Sequence, residues 1–309
     1  MNKLTKACFA GLFLSLTAGL ASCGGSSTST TDTAAVTADV YPVTVGDLTL
    51  EAQPVSIISL SPTATEMLYA IGAGSQVVAV DEYSNFPAEA VALGTKLSGF
   101  EPNIEAISGY SPDLVIISYD PGSLVEQLGT LNIPVFVAGA AMSLENVYEQ
   151  IEQLGVLTGH SQAAIEVSKT LQTGIEDAVA SVKFSEPPLS YYYELDNTYY
   201  SVTSNTFVGQ IFNLFGMRNI ADNVESGNDY PQLSAEVIVS SDPDFIFLAD
   251  TKCCAQDATT VAARDGWGGL KAVTANQVVE LDDDVASRWG PRVLDLITSI
   301  RDAVAAANS

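Results

Sequence analysis

Aromatic and charged residues gather at a few points of this 309-residue chain. Tyr83 and Phe86 fall in the run Asp81-Glu82-Tyr83-Ser84-Asn85-Phe86-Pro87, and Tyr119 follows Ser118. Tyr199 and Tyr200 close a stretch that also holds Tyr191, Tyr192 and Tyr193, and Tyr230 precedes Pro231. Asp284 and Arg288 stand four apart beside Trp289, in the segment Asp282-Asp283-Asp284-Val285-Ala286-Ser287-Arg288-Trp289-Gly290-Pro291-Arg292. A tyrosine buries ring area while its hydroxyl still finds a partner. An Asp–Arg pair at this spacing braces itself as a surface ion pair or hydrogen-bonds the polar edge of a ligand. Such groups hold a molecule; they do not transform one. The chain has no Gly-x-Ser-x-Gly elbow, phosphate loop or histidine-based triad, so it does not read as an enzyme. Metal capture needs clustered imidazoles, and His160, the sole histidine, sits at a helix start. No metal site and no cofactor are expected.

The elements that must position these residues alternate as in an α/β protein. Residues 55–60, 77–80, 114–118 and 133–137 read as buried strands, as do 189–195, 245–249 and 278–281. A short hairpin precedes them, residues 41–45 and 48–52 around Gly46-Asp47. Ser61 with Pro62, or Thr63 with Glu66, opens the first helix. Ligands of parallel sheets sit beyond the carboxyl ends of the strands. That rule puts Tyr83, Phe86, Tyr119 and Tyr230 on a rim, with Tyr199 and Tyr200 near it. For each, packing under a loop is the competing role. Gly72-Ala73-Gly74 ends a helix, so it is no dinucleotide loop.

One phrase occurs twice. Residues 103–117, NIEAISGYSPDLVII, and 233–248, LSAEVIVSSDPDFIFL, align without a gap when Pro112 is set on Pro243. Glu105 then falls on Glu236 and Asp113 on Asp244. Between the copies, residues 161–183 read as one helix of roughly 30 Å. Ser161 is placed to cap it, Ile165, Ser168, Leu171, Ile175, Ala178 and Val182 form its apolar stripe, and Pro187-Pro188 forbids continuation. Two related lobes, residues 41–160 and 184–309, joined by a single rigid rod at 161–183, are the expected organisation.

Residues 1–22 form a leader: Lys3 and Lys6, an apolar run from Ala7 to Leu20 too short for a comfortable span, then Leu20-Ala21-Ser22-Cys23. Residues 23–40 are a low-complexity, polar tether. The chain carries 37 acids against 12 lysines and arginines, a formal charge of −25. Removing the leader takes two lysines and no acid. Such a surface repels nucleic acid and anionic lipid. Past the leader and Cys23, only Cys253 and Cys254 remain, in a setting where thiols oxidise. Each has only the other as internal partner; a strained vicinal disulfide and two free thiols are both open.

Several of these segments resemble the cobalamin and ferric-siderophore binding proteins of ABC importers. Ile58-Ser59-Leu60-Ser61-Pro62-Thr63-Ala64-Thr65-Glu66 looks like that family's first strand and helix; Tyr83-Ser84-Asn85-Phe86-Pro87, both Pro-Asp strands and the Ser287–Arg292 loop match as well. The likeness runs from about Pro54 to the C-terminus. It implies two Rossmann-like lobes on a single backbone helix, the class III substrate-binding fold, with ligand between them. Residues 20–23 resemble a bacterial lipobox, implying lipidation of Cys23 and a membrane-anchored, extracytoplasmic monomer. Glu105 and Glu236 match the two glutamates that meet permease arginines, the permease in turn coupling to its ATPase. Tyr83, Tyr230, Asp284 and Arg288 match cleft positions of the cobalamin binder, whereas Gly99 and Ser118 stand where it has tryptophans. The favoured ligand is cobalamin; a ferric siderophore, often anionic, is the alternative, with Arg288, Arg292, Arg218 and Lys96 as the cations that would gather for it.

Overall fold

The computed structural model describes residues 39–308. The leader, Cys23 and most of the tether lie outside the described residues. Two four-stranded sheets, every pairing parallel, form the body. A hairpin of β1 (Val43–Val45) and β2 (Leu48–Leu50) precedes them, with Gly46 at φ +56° in its turn.

The first sheet holds β3 (Ile57–Leu60), β4 (Val77–Val80), β5 (Leu114–Ile117) and β6 (Val135–Val137), in the order β4-β3-β5-β6. The second holds β7 (Ser190–Glu194), β8 (Arg218–Asn219), β9 (Phe245–Leu248) and β10 (Val278–Glu280), in the order β10-β9-β7-β8. Read in chain order, each lobe places its second strand outside its first, then its third, then its fourth. The two lobes therefore share one topology, and the duplicated Pro-Asp phrase supplies the third strand of each. Every residue of β3, β5 and β9 is buried, as continuous apolar runs in helix-covered parallel sheets must be.

The repeated aspartates have a common structural task. Asp113 Oδ2 accepts the backbone N–H groups of Val55 (2.9 Å) and Ser56 (3.0 Å), just ahead of β3. Asp244 Oδ2 accepts the N–H and hydroxyl of Ser190, at 2.8 and 2.7 Å, at the start of β7. In each lobe the carboxylate fastens the mouth of the third strand to the mouth of the first.

The rod is an α-helix over Ser161–Ala180, shorter at its C-terminal end than the expected 183. Ser168, Leu171, Ile175 and Ala178 are buried as the stripe requires, but Ala164 takes the place given to Ile165, which is half exposed. Val182 lies past the helix end and packs at the margin of the core. Ser161 does not cap the helix. Its own N–H is accepted by Asp39 Oδ2 at 3.1 Å. At the other end, Asn308 Nδ2 donates to the Lys183 carbonyl (2.8 Å) and Asn308 Oδ1 accepts from the Ser185 hydroxyl (2.6 Å). Helix Leu144–Thr158 packs so closely on the rod that a Cβ at Gly155 would collide with the Ala164 side chain. The closing helix, Val293–Ala307, lies on it too.

The tyrosines of β7 divide between two faces, as alternation demands. Tyr191 stacks on Phe212 at 4.1 Å and Tyr193 meets the same ring edge-on at 5.8 Å, whereas Tyr192 turns to the buried Trp267 on the opposite face. All three are fully buried core residues.

Candidate functional site

The rim of the first lobe is built from loops that follow its strands. Asp81, directly after β4, shapes one: its Oδ1 accepts the Tyr83 N–H (2.7 Å) and its Oδ2 the Ser84 hydroxyl (3.2 Å). Burial raises the Asp81 pKa, and these donors with Arg288 partly oppose that rise. The turn presents Tyr83 outward. Its ring meets Phe100 edge-on at 5.6 Å, and Phe100 lies 6.2 Å from Tyr119, after β5. These three half-exposed or exposed rings, with Leu60, Gly99 and Ser118, wall a cavity of about 270 Å³.

A second cavity, about 370 Å³, lies on the seam. Ala140 and Ala141, after β6, line it from the first lobe; Tyr193, Phe207, Tyr230, Arg288, Trp289 and Cys253 line it from the second. Trp289 Nε1 donates to Gln150 Oε1 at 3.0 Å, and Gln150 Nε2 donates to the Gly139 carbonyl, so the indole is tied to the first lobe. Gln210 Nε2 reaches the Met142 carbonyl at 2.9 Å across the same seam.

Charged groups staple the lobes beside these cavities. Ser61 caps the first helix, Pro62–Ala70, by accepting the Ala64 N–H. Glu66, which sequence reading offered for the capping, is instead buried and takes two arginines from the far end of the chain. Arg288 Nη1 donates to Glu66 Oε1 at 2.8 Å, and Arg292 binds both Glu66 oxygens. Arg288 Nη2 also donates to the Tyr83 carbonyl (3.0 Å) and to Asp284 Oδ1 (2.8 Å). Asp284 Oδ2 accepts from Asn85 of the first lobe at 3.0 Å and from Lys252 at 2.7 Å. Burial would raise the Asp284 pKa, but Lys252, Asn85 and Arg288 hold it below the usual carboxylate value. The run expected as a plain loop forms a one-turn helix, Asp283–Ala286, with Asp282 at its start accepting the Asp284 and Val285 N–H groups.

The sequence-derived ligand residues therefore separate. Tyr83 and Tyr119 wall the first cavity; Tyr230, Arg288 and Trp289 line the second; Asp284 sits in the staple. Phe86 lies apart, under the Arg292 guanidinium at 4.3 Å, in a depression with Tyr69 and Pro291. Tyr199 is stacked on Trp267 at 5.6 Å, packed against the second lobe's smaller core. Tyr200 pairs with Gln232 and lines neither cavity. Tertiary packing decides these three, and sequence position beside a rim does not reveal it.

Phe100 was not foreseen. A Cβ at Gly99 would come 2.8 Å from the Leu60 carbonyl oxygen, so position 99 has no room for a side chain and the next residue supplies the ring. An aromatic residue set in the polar turn Ser98-Gly99-Phe100-Glu101-Pro102 was the available signal. Glu66 left no such trace, because its partners lie more than two hundred positions away.

Glu105 and Glu236 are exposed and occupy the second position of helices Ile104–Ser108 and Ala235–Ser241. Asn103 and Ser234 cap those helices by accepting from Ala106 (2.9 Å) and Val237 (3.3 Å). Two residues on, Ile107 and Ile238 are fully buried, which fixes the outward aim of each glutamate. A helix entering a parallel strand runs against it, so both helix starts lie at the level of the strands' carboxyl ends. The backbone N–H groups at its helix start and the Ser234 hydroxyl lower the Glu236 pKa.

His160 Nδ1 meets the Thr158 carbonyl at 2.9 Å where the rod begins, and no group of three or more metal-ligating side chains is found among the described residues. Cys253 and Cys254 stand as free thiols, Sγ to Sγ 2.7 Å apart. Burial, then Cys254 and the carboxylates of Asp283 and Asp250, pushes the Cys253 thiol up to about 12. Nearby, Arg264 pairs through both nitrogens with the buried Glu194, whose neighbour Asp250 is buried with no donor on either carboxyl oxygen.

A family described as periplasmic binding protein matches residues 57–285. An uncharacterised ABC transporter substrate-binding lipoprotein of Bacillus subtilis is 28% identical over 298 residues, covering 92% of each chain. A cobalamin-binding protein of Halobacterium salinarum is 30% identical over 277 residues, 85% of this chain and 74% of that one. Among solved structures, the periplasmic vitamin B12 binding protein of Vibrio cholerae aligns with a TM-score of 0.68 at 26% identity, over 83% of this chain and 98% of that one. A periplasmic heme binding protein of the same organism aligns at 0.71 with 23% identity, over 80% and 98%, a likeness of fold alone.

Proposed function

This chain belongs to the periplasmic binding protein family and is the extracytoplasmic, non-enzymatic substrate-binding component of an ABC importer; from that premise we propose that it captures cobalamin. The observation that carries the choice is electrostatic. Arg288 is the one cation among the residues lining the two cavities, and it is committed to Glu66 and Asp284. Lys252, close by, is held by Asp282 and Asp284 at 2.7 Å each. Among the described residues, the walls of these two cavities so offer no uncommitted positive charge to an anionic ferric siderophore or to heme propionates. It offers Tyr83, Phe100 and Tyr119 on one side and Phe207, Tyr230 and Trp289 on the other. A broad corrin with an apolar face and a rim of neutral amides suits aromatic walls with hydroxyls at their edges. Relatives whose names record cobalamin binding support the same reading.

Spectral titration decides it. Cyanocobalamin should bind at micromolar concentration or tighter with one site per chain, and Tyr83→Ala together with Tyr230→Ala should weaken binding by about tenfold or more, as loss of two aromatic anchors does. Binding of a ferric hydroxamate or of hemin, with none of cyanocobalamin, overturns the assignment. Glu105 and Glu236 are proposed as the permease-docking pair, and Cys23 as the lipid-bearing residue that holds this monomer to the cell membrane.

A further inference from the structure

We propose that Cys253 and Cys254 form a reversible thiol–disulfide site on the wall of the cleft, and that its oxidation loosens the ionic staple between the lobes. The extracytoplasmic setting on which this rests is part of the family assignment above; the site itself does not depend on which ligand is carried.

Three observations carry it. First, the pair sits where chemistry on it is felt by the cleft. Cys253 lines the seam cavity and is exposed, and its sulphur touches that of Cys254. Second, one carboxylate holds the backbone of the turn that carries the pair against the staple. Asp283 accepts the Thr251 hydroxyl at 2.8 Å, the Lys252 N–H at 3.0 and 2.9 Å, and the Cys253 N–H at 2.9 Å. Lys252 Nζ then bridges Asp282 and Asp284, and Asp284 holds Arg288 and Asn85. The thiols are thus one short chain of ionic contacts from Glu66 and the Tyr83 carbonyl in the other lobe. Third, the turn has little slack. Ala255, just past the pair, lies at φ +53°, a region a residue with a Cβ seldom occupies.

Closing a ring between adjacent cysteines is demanding. Their Cα atoms are about 3.8 Å apart across a trans peptide, below the about 4.4–6.8 Å that disulfides usually span. The intervening peptide must therefore turn; its own N–H, that of Cys254, is accepted by the Asp250 carbonyl at 3.2 Å, and the N–H of Cys253, the next one back, rests on Asp283 and shifts with it. Releasing Asp283 parts the turn that carries Lys252 from the segment that carries Asp284 and Arg288.

The oxidant is an exogenous disulfide of the extracytoplasmic space. One cysteine sulphur attacks it, forming a mixed disulfide and expelling one thiol. The second cysteine sulphur attacks that bond, closing the ring and expelling the other thiol. The two cysteine protons pass to the departing thiolates, and the two electrons reduce the oxidant. Burial, then Cys254 and lastly Asp283 and Asp250, push the Cys253 thiol up, and the negative charge of the Asp283 side repels anions, so neutral oxidants should act faster than anionic ones.

The test uses the intact protein and diamide, a neutral azo compound that takes up two electrons and two protons. Tryptic cleavage after Lys252 and after Arg264 isolates both cysteines in one peptide. Oxidation should leave that peptide lighter by two hydrogens, with dithiothreitol restoring it. Amide exchange should rise in residues 251–254 and 282–289 on oxidation, with no rise in the double variant Cys253→Ser and Cys254→Ser given the same treatment. Cyanocobalamin affinity should then differ by about fivefold or more between the two states, the lower end of ordinary coupling between sites. Persistence of two thiols under diamide, or ring closure with unchanged exchange across 282–289, overturns the inference. Absence of cyanocobalamin binding in both states overturns the ligand assignment instead, and mass and exchange still decide the thiol site.

Discussion

Asp250 is a carboxyl group in an unfavourable place. It follows β9, is fully buried, and lies against Glu194, which Arg264 already neutralises. Burial first, then the charge of Glu194, pushes its pKa up to about 7 from an ordinary 3.8, with Arg264 opposing and Asp283 adding to the rise. Between those two values the folded chain keeps a proton that the unfolded chain has released. Stability therefore falls as pH rises through that window, and the loss is complete above the folded value. Urea midpoints measured across it should decline with pH for the wild type, and Asp250→Asn should flatten the decline. A variant as steep as the wild type would place the proton elsewhere. Tyr192, whose hydroxyl finds no partner, faces the same group, so the effect belongs to a cluster. None of this could be read in the chain, because Asp250, Glu194 and Arg264 meet only through the sheet and the loops beyond it. The aromatic rim was partly legible: Tyr83, Tyr119 and Tyr230 follow the strand-end rule, whereas Tyr199 and Phe86 found packing partners in Trp267 and Arg292 that no local pattern announces.

The elements were more open to reading. Strands buried on both faces must be continuous apolar runs, and the duplicated phrase brought corresponding residues into register before any geometry was known. The reason for the repeated aspartates appeared only with the structure. Each ties two strand mouths, but in unequal surroundings. Asp244 satisfies Ser190, which is buried, whereas Asp113 serves Val55, which is 73% exposed. An unsatisfied buried donor costs about 1–3 kcal/mol, and an exposed one finds water. Asp244→Ala should accordingly lower unfolding free energy by about 1–3 kcal/mol and Asp113→Ala by less than half of that, with the two losses adding to within about 0.5 kcal/mol in the double variant. Denaturant unfolding monitored by tryptophan emission is the measurement. Equal losses would mean that exposure does not govern the two ties. The rod's ends were misjudged for a related reason: Asp39, not Ser161, supplies the partner at its start.

Over the whole molecule, paired topology sets paired surfaces. The same helix position in each lobe carries Glu105 or Glu236, both aimed away from the core. Opposite charges on a permease would be steered to them and gripped once per lobe. Glu105→Arg with Glu236→Arg should leave cyanocobalamin affinity unchanged and abolish uptake in vesicles reconstituted with the cognate transporter; undiminished uptake would refute the docking role. Fold and duplication were readable at this scale, because they follow from periodicity. The staple was not. Glu66 and Arg292 are 226 positions apart, and only the tertiary fold makes them neighbours.

Position 39 is fastened where the rod begins, and position 308 where it ends. Dyes attached beside those two residues, whose own side chains make the ties, would lie roughly 30 Å apart along the rod. Energy transfer between them should hold constant while the cleft fills, giving a built-in ruler against which a third dye on either lobe can be read.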